Sequence, residues 1–135
     1  MKEIVTYLNF DGNCREAMEF YQKCLGAELS LTPFSEAQGE FSKEEANRII
    51  HARLTKGATL LMASDTRPGM PFVKGTNFSV SIQAESAEEI ETLFQALSEN
   101  GKVVMPLQDM FWGARFGMLT DQFGVRWMIN FEKAR

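Results

Sequence analysis

With 135 residues, 44% hydrophobic and 24% charged, the chain has the make-up of one globular domain or two small modules, long enough to bury most of its apolar surface. Fourteen basic against eighteen acidic residues leave a net charge of −4 with no basic block, so nucleic-acid binding has no electrostatic footing. No run approaches the ~20 apolar residues of a bilayer span, and Met1-Lys2-Glu3-Ile4 enters a strand-like run with no visible signal peptide, so no membrane partner is expected.

Residues 4–10 alternate as a half-buried strand, with Ile4, Thr6, Leu8 and Phe10 on one side and Val5, Tyr7 and Asn9 on the other. Asp11-Gly12 turns the chain, and Asn13-Cys14-Arg15-Glu16 reads as an N-cap with an acid at the third helical position. Ala17, Phe20, Tyr21, Cys24 and Leu25 recur at helical spacing, and Gly26 supplies the stop. Cys14 and Cys24 then share one helix, too far apart for a disulfide at ~1.5 Å of rise per residue. A reduced, cytoplasmic chain is the expectation. Residues 28–32 resume as a strand. Residues 33–48 are polar and irregular, with Ser42-Lys43-Glu44-Glu45 capping a turn or two of helix, and so long a connection reads as a lid. Residues 49–54 and 59–64 form strands joined by a hairpin at Lys56-Gly57.

Residues 65–75 (DTRPGMPFVKG) form the clearest internal boundary. They separate module 1 (about 1–66) from module 2 (about 76–135), with 67–75 as linker. After it the order recurs. Residues 77–84 alternate, with Phe78, Val80 and Ile82 against Asn77, Ser79 and Ser81. Ser86-Ala87-Glu88-Glu89 is a second capping box; Ile90, Leu93, Phe94 and Leu97 form the apolar stripe, and Gly101 ends the helix. Residues 102–105 are a strand, and residues 106–113 a connection whose aromatics could line a pocket. Phe116, Met118 and Thr120 alternate with Arg115, Gly117 and Leu119 into a turn at Asp121-Gln122-Phe123-Gly124, where Gly124 suits a left-handed residue. In the outgoing strand Val125, Trp127, Ile129 and Phe131 share one face; Arg126, Met128 and Asn130 share the other. The string is strand–helix–three strands, twice, with caps at Asn13 and Ser86 and stops at Gly26 and Gly101 at nearly the same offset.

This doubled βαβββ order resembles the vicinal-oxygen-chelate superfamily, which includes glyoxalase I, bleomycin- and fosfomycin-resistance proteins and extradiol dioxygenases. Within it the chain is similar to the PhnB-like branch. The matching words run from end to end: Tyr7-Leu8-x-Phe10-x-Gly12, Glu16-Ala17, Phe20-Tyr21, Leu25-Gly26-Ala27, His51-Ala52 and Leu61-Met62-Ala63-Ser64-Asp65. Then come Phe111-Trp112-Gly113-x-Arg115-Phe116-Gly117 and Thr120-Asp121-x-Phe123-Gly124-x-x-Trp127. The resemblance implies an α+β fold of two βαβββ modules forming a curved sheet around a cleft, with the helices on the convex side. It implies that Tyr7, Asn9, His51, Arg53, Met62, Ser64, Asn77, Ser79, Ser81, Arg126, Met128 and Asn130 face that cleft. A homodimer is expected from the resemblance alone.

Metal-using relatives place a His in the first strand of a module and a Glu or His in the last. Carried across, those positions are Tyr7 (Thr6 if no gap is allowed), Asn77, Met128 and, for the fourth-strand ligand of glyoxalase I, Met62. None is an imidazole or carboxylate, so neither a metal centre nor a cofactor is expected. His51, the one histidine, is either a strand residue bonded to a neighbour or a cleft-facing donor or general base, which makes it the candidate catalytic residue. Arg53 and Arg115 near one cleft would suit an anionic or carbonyl ligand. Phe111, Trp112 and Phe116 read most simply as core aromatics, and the ligand-contacting set expected from the resemblance is Tyr7, Asn9, His51, Arg53, Met62, Asn77, Trp112, Phe116, Met118 and Met128. No G-x-G-x-x-G or G-x-S-x-G is present, so nucleotide-fold and serine-hydrolase readings have no support. The expected function is metal-free binding of a small molecule in the cleft. The alternatives are a lyase or isomerase with His51 as base, and a dimeric interaction protein without a small ligand.

Overall fold

The computed structural model of the chain describes residues 1–37 and 39–133. It resolves into two units, Met1–Val73 and Lys74–Arg135. In the first, the strands are β1 (Thr6–Phe10), β2 (Glu28–Pro33), β3 (Ile49–Lys56) and β4 (Thr59–Asp65), with helices α1 (Cys14–Leu25) and α2 (Lys43–Asn47). In the second, β5 (Val80–Gln83) and helix α3 (Ala87–Leu97) precede β6 (Lys102–Asp109), β7 (Ala114–Thr120) and β8 (Arg126–Glu132). Each unit carries one four-stranded sheet, ordered β1-β4-β3-β2 and β5-β8-β7-β6, whose first strand inserts parallel beside its last while the other pairs are antiparallel. The fold is α+β, two βαβββ modules, as the element order predicts.

Each helix covers one face of its own sheet. In unit 1, α1 packs on β2, β3 and β4, and Leu8, Phe10, Ala52, Leu54, Leu61 and Ala63 turn toward it, buried with Ala17, Met18 and Tyr21 of the helix. In unit 2, α3 packs on β7 and β8, where Leu119, Trp127 and Ile129 are buried with Ile90, Leu93, Phe94 and Leu97. Large side chains buried this fully contribute ~1.5–3 kcal/mol each, so the strand alternation decides which face the helix takes.

Two buried carboxylates tie the modules' strand ends. The Asp65 Oδ1 atom accepts from the backbone N–H of Gly12 (2.8 Å) and Cys14 (3.0 Å), and its Oδ2 accepts from that of Ile49 (2.9 Å). Asp121 Oδ1 accepts from the N–H of Phe123 (2.8 Å) and Val125 (3.0 Å), and Oδ2 accepts from Trp127 Nε1 (2.9 Å). The β7–β8 hairpin closes as expected, with Gly124 at φ +86°.

Several local expectations are corrected. Asn13 makes no side-chain cap; Asp65 serves the first turn of α1 instead, because a buried carboxylate reaches the N–H groups that an amide at Asn13 leaves open. The chain before β1 carries Ile4 out to 89% exposure, so the core face begins at Leu8. β5 starts only at Val80, which pairs with Trp127; residues before it run past the start of β8, and Phe78 is 64% exposed rather than packed on the helix. Helix α3 ends at Leu97 with Ser98 as its C-cap, and Asn100, not Gly101, takes the left-handed conformation (φ 58°). Gly101 is needed for another reason: a Cβ there would stand 2.5 Å from the Thr120 carbonyl oxygen. β6 continues through Pro106 to Asp109 with two register shifts, so the expected 106–113 connection shrinks to a short turn. Pro106 is tolerated because β6 is the sheet edge.

The β2–β3 connection is folded. A 3₁₀ turn at Phe34–Glu36 buries Phe34, and α2 carries the complete Ser42/Glu45 capping box. Arg48 pairs with Asp11 (2.9 Å) and Arg67 with Glu45 (2.8 Å), pinning this segment to the ends of β1 and β4. Gln38 lies outside the described residues. Among the described residues no helix is long and apolar enough to cross a membrane, and neither cysteine is in a disulfide.

Candidate functional site

Because Leu8, Phe10, Ala52, Leu54, Leu61 and Ala63 turn to α1, the residues between them line the opposite, helix-free face of the first sheet. Register places Tyr7, Met62, Arg53 and Ser30 in one row across the four strands. The next row holds Asn9 beside Ser64 and His51 beside Thr32. The structure thus brings together Tyr7, Asn9, His51, Arg53 and Met62.

Tyr7 and His51 are separated by the intervening strand β4, a span of ~9–10 Å between backbones. Their side chains lean together across it. The Tyr7 hydroxyl lies 3.0 Å from His51 Nδ1, and the rings stack at 5.8 Å between centroids and 25° between planes. When the phenol donates, His51 carries its proton on Nε2; when Nδ1–H donates to the phenol oxygen, Nε2 holds a lone pair. In both tautomers Nε2, on the far side of the ring, has no partner among the described residues. Arg53 is exposed and has neither a carboxylate nor a carbonyl partner among the described residues.

The helix-free face of the second sheet is softer. Met105, Met118, Met128 and Ser81 form one row across it, and Gln108, Phe116, Asn130 and Gln83 another. Asn130 Nδ2 donates to Gln83 Oε1 (2.9 Å), and Gln83 Nε2 donates to Ser81 Oγ (3.3 Å), so the amides along one side are fixed. The Arg126 Nη1 donates to the Thr76 carbonyl. Phe116, Met118 and Met128 share this face as expected. Met105 and Gln83 were not foreseen: Met105 closes the expected strand 102–105, to which no face was assigned, whereas extending the period from Ser81 points to Gln83.

Four expected positions differ. Asn77 sits in the exposed stretch ahead of β5, not on the sheet, for want of a paired partner there. Trp112 caps the β6–β7 turn at 54% exposure, edge-to-face with Phe111 at 5.0 Å between centroids. Phe111 is 97% exposed, so these two are surface rather than core aromatics: the turn closes through Gly113 N–H to the Met110 carbonyl and projects both rings. Arg115 alternates with Phe116 and falls on the helix side, where its Nε donates to Glu91 Oε1 of α3 (2.8 Å).

Nothing in the first-strand and last-strand positions fits a divalent ion. Tyr7 is a phenol engaged with His51, Met62 and Met128 are thioethers, and Asn77 is an amide on an exposed segment. Among the described residues no three or more His, Cys, Asp and Glu side chains converge. A borderline ion wants imidazole, thiolate or carboxylate, and this donor set offers none at those positions. The thiol of Cys14, buried at the first residue of α1, is no reactive group either: burial, with the Asp65 charge nearby, pushes its pKa up to about 12.

Comparison with known proteins covers the whole chain. A model of the glyoxalase/bleomycin resistance protein/dioxygenase superfamily matches residues 4–129. Protein YjdN of Escherichia coli K12 is 35% identical over 139 aligned positions, spanning 94% of this chain and 93% of that protein. The crystal structure of protein PA1353 from Pseudomonas aeruginosa superposes with a TM-score of 0.90 at 45% identity, covering 99% of this chain and 100% of that one. A PhnB protein from Bacillus cereus superposes with a TM-score of 0.77 at 30% identity, covering 96% and 99%.

Proposed function

Since the chain belongs to the glyoxalase/bleomycin resistance protein/dioxygenase superfamily and is PhnB-like within it, we propose that it binds a small organic molecule on its helix-free sheet faces, without a bound metal ion. The observation that carries this reading is the Tyr7–His51 hydrogen bond spanning β4. It orders two long side chains over a helix-free face and leaves Nε2 aimed away from Tyr7. Beside it stand two polar groups without a side-chain partner among the described residues, Arg53 and Asn9. Sites of this kind combine apolar floor, here Met62, with a few fixed polar groups. The Met105–Met118–Met128 row supplies the same softness on the second sheet, since thioethers adapt to irregular apolar shapes.

A thermal-shift screen of small molecules, with and without Zn²⁺, Ni²⁺ or Mn²⁺, tests this. A ligand at a hundred times its dissociation constant stabilises by ~2.7 kcal/mol, a readily measured rise in Tm. Stoichiometric stabilisation by one of the metal ions alone would overturn the metal-free reading.

The same hydrogen bond favours a second reading, a lyase or isomerase in which His51 moves a proton next to a carbonyl. Tyr7 fixes the ring and Nε2 is placed to reach a substrate, which is the geometry general acid–base catalysis requires. Once turnover is found, His51→Ala discriminates the two: undiminished turnover removes His51 from the chemistry.

A further inference from the structure

We propose that the ligand of the first sheet's helix-free face carries a carboxylate, seated between the Arg53 guanidinium and His51 Nε2. This rests on the reading of that face as the binding site and adds the class of molecule it takes.

Arg53 shares the lack of an ion pair among the described residues with Arg15 on α1 and with Arg126, whose guanidinium donates to the Thr76 carbonyl; its place on the helix-free face beside His51 sets it apart. Arg48, Arg67 and Arg115 are each ion-paired, with Asp11, Glu45 and Glu91, in a chain with more acids than bases. Arg53 stands on a central strand with no ion pair among the described residues. Its cross-strand neighbours are Ser30 and Met62, neither of which can neutralise it. The charged or titratable groups sharing the face are Tyr7 from β1, His51 from β3 and Glu28 from β2; β4 supplies only Leu60, Met62 and Ser64. Glu28 pairs in register with Thr55, which puts it diagonal to Arg53 on this face, and it makes no ion pair among the described residues.

His51 and Arg53 are two residues apart on one strand, so their side chains rise side by side ~6–7 Å apart. That gap suits a planar group with two oxygens. One oxygen accepts from the guanidinium, and the other accepts from Nε2–H in the tautomer whose Nδ1 accepts from the Tyr7 hydroxyl. The Arg53 guanidinium presents a single fixed positive charge, which matches a carboxylate and undercompensates a doubly charged phosphate.

His51 is the only histidine, so its imidazole ¹⁵N resonances report on the site without assignment by mutation. Benzoate, benzamide and inorganic phosphate are titrated into the intact chain. Benzoate is expected to shift the Nε2 resonance saturably, and Arg53→Gln to weaken that binding ~10-fold or more. Tyr7→Phe should also weaken it, whereas Arg115→Gln should not. Tighter binding of phosphate than of benzoate overturns the carboxylate class. Benzamide moving His51 where benzoate does not overturns this inference but leaves the face as a binding site. No probe moving His51 takes both down. Saturable benzoate binding unaltered in Arg53→Gln overturns the role of Arg53.

Discussion

Replacing Asp65 by Asn should cost far more than a one-atom change suggests. The carboxylate accepts three backbone N–H bonds, from Gly12, Cys14 and Ile49, joining the start of α1 and the start of β3 to the end of β4. An Asn can keep its carbonyl oxygen on Gly12 and Cys14, but the bonds lose their charge assistance. Its amide then points N–H at the N–H of Ile49, leaving a buried donor unmet, worth ~1–3 kcal/mol by itself. With the two weakened bonds and the loss of a negative charge at the N-terminus of α1, the total is about 3 kcal/mol. Against the ~5–15 kcal/mol that a domain of this kind holds in all, Tm should fall by roughly 10 °C. Urea denaturation followed by circular dichroism measures the difference at constant slope. The His51 resonance should move as well, because Ile49 lies two residues from His51 on the same strand. A variant within ~0.5 kcal/mol of the parent, with the same slope, would show that the carboxylate does not hold these strand ends.

The other expectations are briefer. Only Cys24 should react with a thiol reagent in the native protein at pH 8, and Cys14 should join it on unfolding, since burial raises the Cys14 pKa to about 12. A thiol whose folded pKa is raised keeps its full stabilising effect below its unfolded value of 9.0, and that effect is lost as pH climbs from there toward about 12. Denaturation between pH 8 and 11 should therefore show a steeper loss for the parent than for Cys14→Ala, and equal slopes would contradict it. Gly117→Ala should lose ~1–3 kcal/mol, because the new Cβ would meet Phe94 at 2.7 Å and Leu107 at 2.9 Å where α3 crosses β7; a Tm within a degree of the parent would mean the helix yields freely. Arg115→Gln should leave binding on the helix-free faces unchanged, since its partner Glu91 lies on α3; a loss of affinity by titration would place Arg115 on the wrong side of the sheet here.

Much of the fold is written in local patterns. The alternation of Leu8 and Phe10 with Tyr7 and Asn9, or of Trp127 and Ile129 with Met128 and Asn130, is a property of a strand by itself, so the faces were legible before any partner was known. The helix stripes and the Gly124 turn are equally local. The same alternation already set Arg115 with Leu119 rather than with Phe116, against the expectation that it shares a site with Arg53.

What the tertiary structure alone decided involves groups far apart in the chain. Asp65 caps α1 from 51 residues beyond Cys14, and no pattern around Asn13 signals that its own side chain makes no cap. The Tyr7–His51 bond joins residues 44 apart and exists because β1 inserts beside β4, one strand from β3, a choice of order that periodicity does not express. Strand ends follow from pairing: β5 waits for a partner in β8 until Val80, and β6 runs through Pro106 because an edge strand need not donate there. Each residue's sequence sets the direction of its side chain. Which distant group that side chain meets is set by strand order, and on this protein that order makes the site.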